Sequence, residues 1–247
     1  MNIDIIILSY AKTVELKQIT LNCLKSLAAS ENPDEILFNT LVIESNKEMQ
    51  PYQYPGTKTI YPEVAFGYNK YMNIGINATN NFFLCLCNND LIFHQGWATE
   101  ILKAFGQFPI LSSANPYSEG MHYDARLKDM DNVIRNDENL HINGILTGWC
   151  IFVKRSVFQK IGQLDERFTF WYADNDYNLT LRKFGLKHAL VKSSLVTHLF
   201  CQSHDLLMDK KEELTTGQKI VFDKKWHPQS PVKSGIKKII KLLGLKK

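Results

Sequence analysis

The 247-residue chain has no C-x-x-C pair, and its five cysteines (Cys23, Cys85, Cys87, Cys150, Cys201) are scattered and odd in number. That spacing excludes a disulfide framework and a zinc ribbon and points to a reducing compartment. No stretch approaches the roughly 20 apolar residues that cross a bilayer; the longest candidate runs from Phe82 to Cys87. A secretion signal is missing as well, because the opening run Ile5 to Leu8 is short and follows Asp4, so a cytoplasmic location is expected. G-x-x-x-x-G-K-[ST] occurs nowhere, which excludes P-loop phosphoryl transfer. The segment Ser9-Tyr-Ala-Lys-Thr13 contains no glycine, against the Gly-rich phosphate loop that a nucleotidyltransferase would place after its first strand. There is no internal repeat and no low-complexity segment.

What is present is an ordinary globular composition, 45% hydrophobic and 22% charged, with 14 Phe, 10 Tyr and 4 Trp to fill a core. The net charge of +4 is concentrated at one end. Residues 231–247 carry six lysines and no acid, and without them the balance becomes −2, which argues against a nucleic-acid-binding face. In that tail Ile236, Ile239, Ile240 and Leu243 share one helical stripe while Lys237, Lys238 and Lys241 share another. The pattern suits either a peripheral helix on an anionic membrane surface, here the inner face of the cell membrane, or a solvated, frayed C-terminus or packed helix. The expected organisation is one domain, 1–230, and an amphipathic basic tail, 231–247.

Within the domain, Asp4 to Leu8 reads as a buried strand and Val14 to Leu27 as an amphipathic helix with Leu16, Ile19, Cys23, Leu24 and Leu27 on one face. Leu37 to Ile43 (strand), Gly67 to Ala78 (helix) and Phe82 to Cys87 (strand) continue the alternation. The order predicts an α/β fold, a doubly wound and mostly parallel sheet flanked by helices, with ligands beyond the carboxyl ends of the strands. Residues 115–143 read as a long irregular loop; Gly144 to Lys154 and Ala189 to Val196 read as strands, and Arg155 to Ile161 and Tyr177 to Phe184 as helices.

Three places carry candidate chemistry. Asn88-Asn89-Asp90 ends a strand with one carboxylate and two amides, a set that holds a divalent cation against diphosphate oxygens or makes a simple turn. Asp174 and Asp176 precede a helix beside Phe170, Trp171 and Tyr172; each is a helix cap or, where partly desolvated, a general base. His198 follows the strand residues Leu195-Val-Thr and is a cation ligand or a hydrogen-bonded structural residue, with His204 as a second candidate.

Taken in order, these pieces resemble the inverting family 2 glycosyltransferases of GT-A fold, in particular the branch of rhamnosyl and related transferases of bacterial surface polysaccharides. The likeness covers about residues 3 to 200. It rests on Ser9-Tyr10, on Val-Ile-Glu44-Ser-Asn, on Gly67-Tyr-Asn-Lys-Tyr-Met-Asn73-Ile-Gly-Ile, on the strand ending Asn-Asn-Asp90, and on Gly148-Trp-Cys through Asp-Glu166 followed by Trp171-Tyr-Ala-Asp-Asn-Asp-Tyr. The resemblance implies transfer of a sugar from a UDP- or dTDP-linked donor to a saccharide or lipid-linked saccharide, in surface polysaccharide or lipopolysaccharide synthesis, with Mn²⁺ or Mg²⁺. It implies that Ser9, Tyr10, Glu44, Gly67, Asn73, Asn88, Asn89 and Asp90 bind the donor and that Asp90, Asn88 and His198 hold the metal. Asp174 would be the catalytic base, and Trp171, Tyr172 and Asp176 would stand on the acceptor side. The chain departs from the family at Asn88 and Ala173, which stand where acids are usual. Those departures leave open a second reading, a non-catalytic sugar-nucleotide-binding module of the same fold.

Overall fold

The computed structural model describes residues 1–136, 145–199 and 213–228. Cys201, His204, the expected boundary at 230 and the basic tail lie outside the described residues. Nine strands form one sheet in the order β3-β2-β1-β4-β8-β6-β9-β5, with β7 also paired to β9. They are β1 Asn2–Ser9, β2 Leu37–Glu44, β3 Lys58–Ile60, β4 Phe83–Asn88, β5 Leu91–Phe93, β6 Leu111–Tyr117, β7 Val133–Arg135, β8 Cys150–Lys154 and β9 Lys187–His198. The helices are α1 Val14–Ala29, α2 Tyr68–Asn77, α3 Trp97–Gln107, α4 Ser156–Ile161, α5 Ala173–Lys183 and α6 Gln218–Trp226. β1, β2, β3, β4, β6 and β9 point one way, and β5, β7 and β8 the other, so the sheet is mixed with a wholly parallel half.

β1 is central because both of its faces are apolar. Ile3, Ile5 and Ile7 pack into the core shared with α1 and α3, and Ile6 and Leu8 into the core shared with α2, α4 and α5. This two-residue alternation, buried on both sides, is what helices on both faces of a parallel sheet require. α1 starts at Thr13, whose hydroxyl accepts from Leu16 N at 3.3 Å. At its far end the Glu31 carboxylate accepts from Ala98 N (2.7 Å) and Thr99 N (3.0 Å), capping α3. Helix α3, with Trp97 and Ile101 fully buried, has no counterpart in the sequence reading. The irregular stretch expected from 115 onward begins inside β6 and contains β7, and the strand expected from Gly144 starts at Cys150.

Gly75 on α2 is where helix and sheet come closest: a Cβ there would lie 2.4 Å from Ile6 Cγ2. Gly75→Ala is expected to cost about 1–3 kcal/mol, since Ile6 on a fully buried central strand cannot yield. Gly106 in α3 meets nothing within 4 Å. Gly106→Ala is therefore expected to stabilise by up to about 1 kcal/mol through helix propensity, and urea denaturation of both variants checks the opposite signs. A pH prediction comes from His188, buried between Ser113 Oγ (2.8 Å from Nδ1) and the Ile145 carbonyl (3.1 Å from Nε2). Burial pushes its pKa down from 6.5 to about 3. The contribution of neutral His188 is thus complete above about pH 6.5 and lost as the pH falls toward 3, to be read as a falling urea midpoint that flattens in a His188→Gln variant.

Candidate active site

Parallel pairing brings the strand ends to one level: Ser9 lies beside Glu44, and Leu8 beside Asn88. A cleft of about 420 Å³ opens above them, walled by Ser9, Tyr10, Asn88, Asp90, Asp174 and His198 among others. Its size and its position at the carboxyl edge are those of a small-molecule site.

Asp90 stands in the tight connection between β4 and β5. Because β5 pairs with β9, Leu91 lies opposite His198, and Leu199 N donates to Asp90 O at 2.9 Å. The side chains then meet, Asp90 Oδ1 lying 3.2 Å from His198 Nε2. The approach lacks hydrogen-bond alignment, and Asp90 Oδ1 is buried without a hydrogen bond. Two donors of a small divalent cation, each about 2.1 Å from it at right angles, would be separated by about 3 Å. The pair therefore fits as half of a cation site, with the Asn88 side chain on the same cleft wall. The His198 ring is held flat on Trp149, centroids 5.6 Å apart and planes 11° from parallel. The Trp149 indole N–H is buried with no acceptor, a polar group whose unmet cost is about 1–3 kcal/mol.

Asp174 occupies the first turn of α5, which begins four residues earlier than the sequence reading placed it. Its Oδ1 accepts from Asn175 N (2.8 Å) and its Oδ2 from Gly148 N (3.3 Å). Burial raises its pKa above the usual aspartate value, against the opposing pull of those two N–H groups. Gly148 permits the contact, since a Cβ there would sit 3.3 Å from Asp174 Cβ, and Tyr68 Oη donates to Gly148 O at 2.6 Å from below. Tyr172, just before the helix, has φ 65°, a left-handed conformation that costs an aromatic residue about 1–3 kcal/mol.

Four of the expected site residues do not line the cleft. Glu44 is fully buried and accepts from Ala11 N (3.1 Å), Asn46 N (2.7 Å) and Tyr54 Oη (3.0 Å), so it shapes the loops after β1 and β2. Asn73 imitates a strand partner for Leu164, accepting from its N at 3.0 Å and donating to its O at 2.9 Å. Gly67 caps α2, and Asp176 is turned toward α6. Asn89 reaches the cleft while its amide donates to Thr20 Oγ1 at 2.8 Å. Tyr172 lines the wall, and Trp171, 45% exposed, stands at the rim. Tyr68, Gly148 and Trp149 were quoted in the motifs without a role; no local signal marks the indole that stacks on a histidine 49 residues later.

Away from the cleft, Cys85, Cys87 and Cys150 bring their sulfurs within 3.4–4.0 Å, because Cys87 and Cys150 are cross-strand partners. Burial pushes all three thiols well above their ordinary value, so they pack as small apolar groups.

Neither a protein-family model nor a curated protein sequence matches the chain. Solved structures do. GalNAc-T7 bound to UDP, GalNAc and Mn²⁺ superposes with a TM-score of 0.60 at 14% identity, over 80% of this chain and 44% of its own. The mannosyltransferase PcManGT of Pyrobaculum calidifontis, in complex with GDP-Man and Mn²⁺, gives 0.58 at 12% identity over 86% of this chain and 61% of its own. The fold is that of the GT-A glycosyltransferases. The catalytic domain of Drosophila β1,4-galactosyltransferase 7, solved with xylobiose, agrees at 0.52 and 11% identity, over 82% of this chain and 72% of its own. The chain thus spans less than two thirds of the length of the first two proteins.

The GT-A cleft holds Asp174 at a thermodynamic cost, which separates it from an ordinary cap. A carboxyl with a raised folded pKa favours the fold below its unfolded value and loses that contribution as the pH rises through the folded one. Asp174→Asn is therefore expected to keep or raise the Tm at pH 7 and to change it less at pH 4. A clear loss of Tm at pH 7 would return Asp174 to a capping role.

Proposed function

We propose that the chain moves a sugar from a nucleoside diphosphate-sugar to an acceptor hydroxyl with inversion at the anomeric carbon. The observation that carries the reading is one cleft lined both by Asp174, a half-buried carboxyl, and by the Asp90–His198 pair. Asp174 takes the proton of the acceptor hydroxyl as its oxygen bonds to the anomeric carbon. The bond to the diphosphate breaks opposite, and its electron pair leaves with the phosphate oxygen. Mg²⁺ or Mn²⁺ held by Asp90 and His198, with Asn88 beside them, would stabilise the charge on that leaving group.

Charge makes the case for the cation. Among the described residues lining the cleft there is no Lys or Arg, while Asp90 and Asp174 are both there. Each carboxylate-phosphate pair at about 5 Å costs about 3 kcal/mol at an effective dielectric near 20. A divalent cation would offset that repulsion for a diphosphate in this cleft. Ser9 and Tyr10 would border the nucleoside, Asn89 would sit near the diphosphate, and the unpartnered Trp149 N–H would offer it a donor. Trp171 and Tyr172, which line the cleft, would border an acceptor saccharide. UDP- and dTDP-linked hexoses and deoxyhexoses are the proposed donors, with surface-polysaccharide precursors, saccharide or lipid-linked, as acceptors. The presence of Asp174 in the same cleft as the Asp90–His198 pair favours this reading over a non-catalytic binding module.

Two experiments test it. In calorimetry with UDP, dTDP and GDP, Mg²⁺ or Mn²⁺ is expected to tighten binding at least tenfold over chelator. Asp90→Ala is expected to abolish that response while leaving binding in chelator unchanged or slightly better, because one repulsive charge is gone; equal affinity with and without cation in the unmodified protein would reject the metal role. In turnover, read as nucleoside diphosphate released from a sugar-nucleotide panel with added acceptor, Asp174→Asn is expected to lose roughly a hundredfold or more. Near-normal turnover by that variant would refute Asp174 as the base.

A further inference from the structure

Among the described residues helix α6 contributes none to the cleft wall, yet one of its faces contacts the segment that carries Asp174. Residues 218, 222, 225 and 226 share a helical stripe. Gln218 Oε1 accepts from Thr169 N at 2.8 Å. Phe222 packs on Tyr172, centroids 5.2 Å apart, and on Phe168 at 6.4 Å. Lys225 Nζ lies 2.8 Å from Asp165 Oδ2 and 2.7 Å from Asp176 Oδ1, and Trp226 Nε1 donates to that same Asp176 oxygen at 2.7 Å.

The opposite side of the segment is fixed by α2. Tyr68 N donates to Thr169 O at 2.8 Å, and the Asn69 amide donates to Asp165 O at 2.9 Å. Residues 165–172 are thus clamped between two helices, and the clamp includes the one non-glycine residue of positive φ among the described residues, Tyr172. That residue turns the chain so that Asp174 enters the cleft while Asp176, two positions on, faces α6. A left-handed aromatic residue persists only where neighbours over-determine it, and Phe222 on its ring with Lys225 and Trp226 on Asp176 supply that constraint.

We infer that α6 is the positioning element of the active site, in which Phe222, Lys225 and Trp226 act through Tyr172 and Asp176 to hold Asp174 at its working geometry. The inference rests on the reading of Asp174 as the base. It gives the buried Asp176 a role in aiming its neighbour, and it makes α6, rather than any cleft residue, a lever on the rate of transfer.

The test is a cycle of four proteins: unmodified, Trp226→Phe, Asp174→Asn and the double variant. It uses the nucleoside diphosphate-sugar that the binding screen retains and reads nucleoside diphosphate release. Trp226→Phe removes the indole N–H and trims the bicyclic ring to a phenyl, so a small fall in Tm is expected, with donor KM close to the original and kcat lower by roughly tenfold. In the Asp174→Asn background the same change is expected to have no further effect, because the group it positions is gone. Phe222→Leu, which loosens Tyr172 from the other side, is expected to repeat the pattern and serves where Trp226→Phe lowers the Tm. An unchanged kcat in both variants would overturn the inference. So would an equal loss in the presence and absence of the Asp174 carboxylate, which would mark α6 as general support. Failure of the base reading shows separately, as full activity in Asp174→Asn alone.

Discussion

A carboxylate with no exposed surface, Asp4 in β1, anchors the edge of the sheet opposite the cleft. It pairs with Arg155 (2.9 Å) and accepts from Asn39 Nδ2 on β2 and from both Asn81 N and Asn81 Nδ2 ahead of β4, each at 2.7 Å. The Arg155 guanidinium in turn donates to Ile76 O, Asn81 O and Thr79 Oγ1, which ties in the end of α2. An ion pair buried this way survives because the Asp4 carboxylate accepts four hydrogen bonds and the Arg155 guanidinium donates four; removing one partner typically costs about 3–5 kcal/mol. Its position matters more than its energy. Asp4 is in register with Asn39 and Leu84, and five residues further on the three strands reach Ser9, Glu44 and Asn89. At about 3.3 Å per residue, a register fixed at the bottom delivers the cleft floor about 17 Å above it.

The second half of the sheet completes the cleft by changing direction. β8 runs against β4, so its entry, Gly148-Trp149, lies at the edge where the parallel strands end. β9 runs with β6 and finishes there at His198. Residues 90, 148, 174 and 198 therefore converge although up to 108 positions separate them, and the stacking of Trp149 on His198 joins the two halves. Shape and charge follow: a floor of strand ends, two carboxylates and an imidazole around it, and no described cationic side chain in its wall.

The first half of the fold was legible because its strands are built on apolar runs, Ile5 to Leu8, Leu41 to Ile43 and Phe82 to Cys87, and its helices repeat at three and four residues. Such patterns dictate burial whatever the partner. The second half was read less well. β6 carries Asn115 and Pro116, α3 follows a strand of three residues, and β7 is three residues within a polar stretch, so none has a local period long enough to declare itself. Their form is imposed by β9, which pairs with β5, β6 and β7 at once.

The sequence by itself determined the α/β alternation and the location of polar residues at the strand ends, and it offered Asn88 to Asp90, Asp174 with Asp176, and His198 with His204 as candidate groups. Which polar residues face the cleft was decided only by the tertiary structure. Glu44, Asn73 and Asp176 have the same chemistry as the residues on the cleft wall, yet each is consumed by internal donors or acceptors. The reason is geometric: along a strand one residue's shift reverses the face, along a helix two residues separate cleft from interior, and a residue's name records neither direction. The partners that settle those directions, Tyr54 for Glu44, Leu164 for Asn73 and Trp226 for Asp176, lie 10, 91 and 50 residues away and reach them only through the folded chain.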